Sequence, residues 1–313
     1  MRVAIIGAGA LGGVIGFALV EMAEVVLVDA WAEHVAVINA NGLSCERNGV
    51  ATTRLVRAVS DPRAAHPAEV ALVLVKASQT PWAAEACQQA LTPTGVAYTL
   101  QNGLGNLEVL ASVLGAGRVG QGVTALGGTL LGPGRVRHAG TGPTSLSTAP
   151  DPQRAAALAA LLMASDLPTT VSANVEALVW GKLVVNVGLN ALTALLRVPN
   201  GVLAVTPAAR VLVALAVDEA VAVAAARGVT LPYADPVAHV LAIAAATGAN
   251  RSSMLQDTLR GTATEIATIN GALVREGVRL GVPTPFNATL TALVEVLEAT
   301  AGQRLALERL SSL

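Results

Sequence analysis

Aromatic residues, cysteine and net charge are all scarce in this chain. Phe, Trp and Tyr together make up 2% of the 313 residues, so the core has to be assembled from Ala, Val and Leu. That composition suits closely packed helices and buried parallel strands. The two cysteines, Cys45 and Cys87, lie far apart and lack CxxC spacing. This argues against a disulfide scaffold or zinc site and for a reducing, cytoplasmic compartment. The four histidines, His34, His66, His138 and His239, show no metal-ligand spacing either, so no metal is expected. Lys and Arg number 20 against 21 acids. Without a basic excess, neither nucleic acid nor an anionic membrane surface is expected as a partner. Charged residues reach only 13% while hydrophobic ones reach 53%, which excludes intrinsic disorder.

Long uncharged runs are also few. Val3 to Val20, VAIIGAGALGGVIGFALV, carries no charge for 18 residues and just meets the length of a membrane-spanning helix. It carries the GxxxG spacings Gly9 to Gly13 and Gly12 to Gly16, as a packed transmembrane pair would, and a signal peptide is a further reading of it. Both compete with a strand, a turn and a helix. No membrane partner is expected, because the apolar runs elsewhere are broken by Lys182, Asn186, Asp218 and Glu219.

The strand–turn–helix reading rests on spacing. Met1 to Ile6 reads as a buried strand, and Gly7-Ala8-Gly9-Ala10-Leu11-Gly12 then matches G-x-G-x-x-G and opens an apolar helix. In such a dinucleotide turn the first glycine permits the tight bend and the second lets the backbone approach a pyrophosphate. The third lets helix and strand pack closely, and the helix N-terminus receives the phosphates. A second strand, Glu24 to Val28, ends at Asp29, 20 residues beyond Gly9. A carboxylate there accepts hydrogen bonds from ribose hydroxyls and repels a 2′-phosphate. No Lys or Arg stands between Arg2 and Arg47 to neutralise such a phosphate, so NAD(H) is favoured over NADP(H). The plain alternative is that Asp29 caps the next turn.

Strands and helices go on alternating. Glu69 to Val75 reads as a buried strand leading to Lys76, Gln79 to Leu91 as a helix, and Gly95 to Leu100 as a strand leading to Gln101-Asn102-Gly103. Polar residues at the carboxyl ends of strands in an open parallel sheet stand where ligands bind. That makes Lys76 and Asn102 candidates, against readings as a solvated residue and a plain turn. Leu126 to Thr148 changes to short strands with Gly/Pro turns, read as an antiparallel extension at the sheet edge. Asp151-Pro152 reads as a helix start. The fold class expected is therefore an α/β Rossmann-like N-terminal domain, residues 1–171, whose parallel sheet bears an antiparallel extension. An all-helical C-terminal domain follows, residues 172–313, for substrate binding and dimerisation. A helical second domain after such a first one implies a cleft for a small molecule.

Two clusters stand out in the helical half. Val175 to Leu196 is apolar except for a few residues, among them Lys182, Asn186 and Asn190, whose i, i+4, i+8 spacing puts them on one face. That face is either a solvent edge or a cleft wall, and the cleft is favoured because burying a lysine without a role is costly. The other cluster is Arg251-Ser252-Ser253-Met254-Leu255-Gln256-Asp257 followed by Thr264-Glu265-Ile266 and Asn270-Gly271. On one regular helix Ser253 and Glu265 would be about 120° apart, so they share a site only if the start is irregular. A capping serine followed by a solvated helix is an equal reading.

With these residues in view, the chain resembles the ketopantoate reductases (2-dehydropantoate 2-reductases) over nearly its whole length. The resemblance is carried by GAGALG at Gly7 to Gly12, LVKASQT with Lys76, LQNGLGN with Asn102, and PGRVRHAGTG from Pro133 to Gly142. It continues in WGKLVVNVGLNALTAL with Lys182, VPNG with Asn200, and RSSMLQD…TEI…NG with Ser253 and Glu265. It implies reduction of the 2-keto group of 2-dehydropantoate to (R)-pantoate by a nicotinamide cofactor, on the route to pantothenate and coenzyme A. Lys182 is then the catalytic lysine, and Glu265 the acid that binds substrate and supports it. Asn102, Asn186, Asn190, Asn200 and Ser253 anchor the substrate, and Lys76 sits near the cofactor ribose or phosphates. Much of that family uses NADPH and carries a basic residue after the second strand, where this chain has Asp29-Ala30-Trp31. NADP(H) is thus implied by resemblance and NAD(H) by the residues. Ala191 stands where many relatives have proline after the asparagine. The rival readings are a related 2-keto or 3-hydroxy acid dehydrogenase and a non-catalytic NAD-sensing regulator. Abundant apolar helix surface in the second half points to a homodimer.

Overall fold

The computed structural model describes residues 1–301, so the last residues of the expected C-terminal domain fall outside the described residues. Twelve strands and twelve α-helices divide between two compact units, Met1–Val175 and a second from Glu176 onward. The first unit ends a few residues later than the sequence suggested, because its last strand runs to Ser172.

The first unit contains β1 (Arg2–Ile6), α1 (Ala10–Leu19), β2 (Glu24–Val28), α2 (Ala32–Asn41), β3 (Leu43–Arg47), β4 (Val50–Arg54), β5 (Arg57–Val59), β6 (Ala68–Val73), α3 (Thr80–Ala90), β7 (Leu91–Thr99), α4 (Asn106–Leu114), β8 (Val119–Thr124), β9 (Gly127–Gly132), β10 (Arg135–Gly140), β11 (Thr144–Ser147), α5 (Pro152–Ala164) and β12 (Thr169–Ser172). Its main sheet has the order β12-β11-β8-β7-β6-β1-β2-β5. The pairs from β5 through to β8 are parallel, and β11 joins β8 antiparallel. Successive residues of a strand point to opposite faces. Val3, Ile5, Val25, Leu27, Leu72 and Tyr98 accordingly join one buried cluster, whereas Ala4, Ile6, Val26, Val28, Ala71 and Ala97 join the other. On that second face the small residues Ala83, Ala84, Ala86 and Ala90 of α3 meet the alanines of the sheet. Close helix–sheet approach takes the place of bulky aromatic packing.

The structure corrects one expectation from the sequence and decides between two readings of another stretch. The hairpin of β9 and β10 does not extend the main sheet: it joins β3 and β4 in a separate sheet of order β4-β3-β10-β9. Only β11 forms the antiparallel addition. Pattern alone could not reveal this, because β10 pairs in parallel with β3 across about ninety residues of sequence. The uncharged run Val3 to Val20 is no membrane span, since it is divided between β1 and the ten-residue helix α1, both largely buried.

The second unit comprises α6 (Val175–Leu196, whose first residue closes the first unit), α7 (Asn200–Val205), α8 (Pro207–Ala226), α9 (Pro236–Ala246), α10 (Ser253–Arg260), α11 (Asn270–Leu280) and α12 (Pro285–Ala299). Helix α6 is long and apolar enough to cross a membrane by length and composition, and 72% of the window that qualifies is buried inside the protein. It is read as a core helix. The prolines that break the hydrophobic pattern open helices: Pro207, Pro236 and Pro285 stand in first turns, where no intrahelical N–H is lost. Gly261 and Gly281 end α10 and α11 with φ of 68° and 71°, the left-handed conformation that glycine adopts without strain.

Helix α8 packs against α7, α9, α11 and α12. Its Glu219 reaches the start of α12. Oε1 accepts from the Phe286 backbone N–H at 2.8 Å, and Oε2 accepts from the Asn287 backbone N–H at 2.9 Å and from Asn287 Nδ2 at 2.7 Å. A carboxylate there also faces the positive end of the helix dipole. Glu219→Gln places an NH2 donor against these donors and is expected to lower stability by about 1–3 kcal/mol. The change would be read from urea unfolding, and an unchanged midpoint would remove this role from Glu219.

Candidate active site

In the first unit, the candidate cofactor residues start with steric necessity. A Cβ on Gly12 would overlap the Gly7 carbonyl oxygen, so the turn closes this tightly only with glycine at position 12. At Gly9 a Cβ would meet nothing within 4 Å, which leaves an approach open to that stretch of backbone. No side chain caps α1 at Gly9, and its first turn contains no acid. Uncapped N–H groups and a positive dipole end suit a pyrophosphate, so the residues present fit a dinucleotide.

The peptide groups of Ala8 are both held. Asp29 Oδ2 accepts from the Ala8 N–H at 2.7 Å, while Oδ1 accepts from the Trp31 N–H at 2.9 Å. The Asp29 carboxylate thus binds the glycine turn itself, and each oxygen keeps lone-pair capacity for a further donor. On the other side, His34 Nδ1 accepts from the Gly134 N–H at 3.0 Å. That fixes the tautomer, so Nε2 donates to the Ala8 carbonyl oxygen, also at 3.0 Å. His34 is fully buried. Sequence reading gave it no role, and its only signal was its place in the first turn of α2, soon after Asp29.

Lys76 is exposed just beyond β6, and Asn102 is half-buried just beyond β7. A buried polar chain holds both segments. Gln101 Nε2 donates to the Val75 carbonyl at 3.0 Å and to Thr80 Oγ1 at 2.9 Å; the Thr80 hydroxyl lies 2.9 Å from Asn106 Oδ1, and Asn106 Nδ2 donates to the Asn102 carbonyl at 3.0 Å. Gln101 and Asn106 lie inside the LQNGLGN stretch, so their position was visible although their role was not.

In the second unit, α6 carries Lys182 and Asn186, both half-buried, and the buried Asn190. Further along, the Thr193 hydroxyl lies 2.7 Å from Ser252 Oγ, and Ser252 accepts from the Leu255 N–H to cap α10. Of the two adjacent serines, the buried one that meets α6 is therefore Ser252, while Ser253 is exposed at the first position of α10. A helix start ambiguous by one residue concealed this. Asn200 opens α7 and donates from Nδ2 to Thr247 Oγ1 at 2.9 Å, and its buried Oδ1 has no hydrogen-bond partner. Glu265 does not continue the helix of Ser253: α10 ends at Gly261, and Glu265 lies in the segment before α11. The irregularity that a shared site demanded is present. Among the described residues no group of His, Cys, Asp and Glu could hold a metal ion.

Lys182 and Glu265 interact electrostatically. Lys182 keeps part of its surface accessible, yet burial of its amine pushes the pKa down to about 8, opposed by the Glu265 carboxylate, which favours the charged form. Glu265 itself is 8% exposed. An amine titrating near neutrality beside a carboxylate can donate and recover a proton. The chain has only two lysines, Lys76 and Lys182, so reductive methylation with ¹³C and NMR should resolve this titration. Glu265→Gln removes the group that raises the pKa and is expected to move the Lys182 midpoint below about 8. A midpoint at the ordinary lysine value in the unaltered protein would contradict the burial argument.

Known proteins resemble the chain along nearly its full length. The family described as ketopantoate reductase PanE/ApbA matches residues 3–151, and that described as ketopantoate reductase PanE/ApbA C terminal matches residues 174–298. A 2-dehydropantoate 2-reductase of Halobacterium salinarum is 37% identical over 303 residues, 95% of this chain and 99% of that protein. The 2-dehydropantoate 2-reductase of Archaeoglobus fulgidus is 34% identical over 95% of this chain and 98% of its own length. Among solved structures, a PanE/ApbA family ketopantoate reductase from Ralstonia eutropha superposes with a TM-score of 0.89 at 37% identity, covering 96% of this chain and all of that one. D-mandelate dehydrogenase, solved with NADH and anilino(oxo)acetate, reaches the same TM-score at 31% identity over 96% of this chain and all of its own.

Proposed function

The chain belongs to the ketopantoate reductase family, and from that premise we propose that it reduces 2-dehydropantoate to (R)-pantoate with a nicotinamide cofactor, in the synthesis of pantothenate and coenzyme A. The observation that carries the mechanism is the Lys182–Glu265 pair, an amine brought down to about 8 by burial and opposed by a buried carboxylate. When bound, the reduced nicotinamide supplies a hydride to the 2-keto carbon. Lys182, as the ammonium, hydrogen-bonds the keto oxygen, stabilises its growing negative charge and gives up its proton as the hydroxyl forms. Glu265 holds that amine in its charged form until the transfer and accepts from a substrate hydroxyl.

The remaining assignments follow chemical type. Amide N–H donors of Asn102, Asn186 and Asn190, with the Ser253 hydroxyl, would bind the substrate carboxylate and keto oxygen. Asn200 Oδ1 is a buried acceptor without a partner, and a substrate hydroxyl would satisfy it. Residues Gly7 to Gly12 would receive the pyrophosphate, with Lys76 and Asn102 beside the cofactor. Asp29 and the lack of any basic residue between Arg2 and Arg47 favour NADH over NADPH. The N-terminal unit thus serves the cofactor, and the helical unit serves the substrate and a homodimer contact. The dimer reading is supported by exposed apolar residues on neighbouring helices, Val211 and Leu215 of α8 with Leu293 and Val296 of α12. A cytoplasmic location accords with two buried free cysteines.

The likeness to D-mandelate dehydrogenase supports a second reading, reduction of a 2-keto acid with a different side chain. The deciding experiment follows consumption of NADH and NADPH, in parallel, with 2-dehydropantoate and with benzoylformate. Faster turnover of 2-dehydropantoate is expected; turnover of benzoylformate alone would transfer the assignment to the second reading. Lys182→Ala is expected to lower kcat by roughly 10²–10⁴-fold. Because the ammonium is the active form, the wild-type reduction rate should fall as pH rises through about 8, and a rate constant across that range would remove Lys182 as the acid. Asp29→Ala combined with Ala30→Arg should shift preference toward NADPH, and unchanged Michaelis constants for both cofactors would refute the role given to Asp29.

A further inference from the structure

We propose that Trp31 is the platform on which the adenine of the dinucleotide stacks, and that His34 is a positioning residue that fixes this platform to the glycine turn. The proposal rests on the dinucleotide reading of the N-terminal unit and adds to it the residues that recognise the base.

Trp31 directly follows the carboxyl end of β2 and precedes α2. Of the chain's three tryptophans, Trp180 is 1% exposed and Trp82 half-buried, whereas Trp31 is 39% exposed. Leaving a large indole in water at that position forgoes a substantial hydrophobic gain, and the exposure falls beside Asp29, the carboxylate placed to meet a ribose. The indole is also held in place. Its backbone N–H donates to Asp29 Oδ1 at 2.9 Å, and its ring stacks on the His34 imidazole with centroids 5.1 Å apart and an interplanar angle of 7°. One face is covered by His34, which leaves the other to receive a planar ring.

His34 carries this placement into the turn. It is fully buried, and its two nitrogens bridge Gly134, between β9 and β10, to the Ala8 carbonyl. The same Ala8 donates its N–H to Asp29. Platform, ribose carboxylate and phosphate turn are therefore tied together through a single residue, Ala8. Two parallel planar rings lose little freedom when a third stacks on them, and base–aromatic stacking is strong and needs no charge. An arginine or lysine here would also attract a 2′-phosphate; tryptophan gives the base a surface and the phosphate nothing. Base recognition and rejection of NADPH thus reside in neighbouring residues, Trp31 and Asp29.

The test is calorimetric binding of ADP-ribose, AMP and nicotinamide mononucleotide to the full chain, together with tryptophan fluorescence. In the unaltered protein, ADP-ribose and AMP should quench emission, and Trp31→Phe should abolish most of that quenching while retaining most of the affinity. Trp31→Ala should weaken ADP-ribose roughly tenfold or more and leave nicotinamide mononucleotide and the thermal midpoint unchanged. His34→Ala should weaken ADP-ribose as well, and His34→Gln, which retains a donor for Ala8, should recover part of the loss. Equal ADP-ribose affinity in the wild type and Trp31→Ala would overturn the platform while leaving the dinucleotide reading intact. Failure of the wild-type protein to bind either NADH or ADP-ribose would overturn that reading itself.

Discussion

The backbone of Ala8 is the small element on which the glycine turn of the N-terminal unit depends. Its N–H is taken by Asp29 and its carbonyl by His34, so the turn between β1 and α1 is held from outside as well as by its own glycines. A turn held only by glycine would be flexible, since glycine loses the most conformational freedom on folding. Two side chains from the region after β2 supply the missing restraint. Asp29 cannot be counted as a cofactor residue alone: in the free protein it already performs a structural task, and any ribose hydroxyl would share its oxygens with Ala8 and Trp31. On the reading proposed above, changing Asp29 would disturb two things at once, the preference between dinucleotides and the shape of the glycine turn, which it holds through Ala8 and Trp31.

The helical unit is organised by a different tension, between burying an amine and keeping it charged. Desolvation lowers the pKa of Lys182 and the Glu265 carboxylate resists. A lysine left in water would titrate far above neutrality and give up its proton reluctantly; one buried without a carboxylate would be neutral and have none to give. Two other carboxylates of the unit have partners of their own. Glu219 is committed to the start of α12, Glu276 is paired with Arg227 and Arg279, and the polar residues on the lysine's own helix face are neutral asparagines. The chain holds only one lysine besides Lys182, which makes a lysine on an apolar helix a pointed exception.

These features were legible in the sequence to unequal degrees. Glycine spacing, the acid after β2 and the polar stripe of α6 are local patterns with fixed periods, and β2 and α6 fall on the residues that their periodicity indicated. Long-range pairing was not legible. The hairpin of β9 and β10 reads as a sheet edge, but its partner is β3, and no local rule selects a strand some ninety residues away. His34 stayed silent because its role comes from two backbone groups, at Ala8 and Gly134, that no side-chain motif marks. That Ser252 rather than Ser253 caps α10 turns on a helix start displaced by a single residue, the scale at which helix boundaries are least defined.

That unevenness reflects two kinds of recognition. Under the proposed function, the N-terminal unit would meet its cofactor chiefly with backbone: N–H groups at a helix start, closeness enforced by Gly12, an opening at Gly9. Such a surface depends on fold and on a few glycines, so it is shared by enzymes that act on different substrates. The helical unit would meet its substrate with side chains on a scaffold of small apolar residues, where one altered asparagine would change the hydrogen bonds on offer. Structural likeness to both a ketopantoate reductase and D-mandelate dehydrogenase at a TM-score of 0.89 is what such a division produces. Proton transfer needs one amine of suitable pKa and tolerates many 2-keto acids. Discrimination among those acids has to come from polar groups whose partners only the right substrate supplies, because an unpaired buried polar group costs far more than a missing methyl contact. Asn200 and Asn270, each with a buried Oδ1 that has no hydrogen-bond partner, are residues of this unit where that cost is already visible.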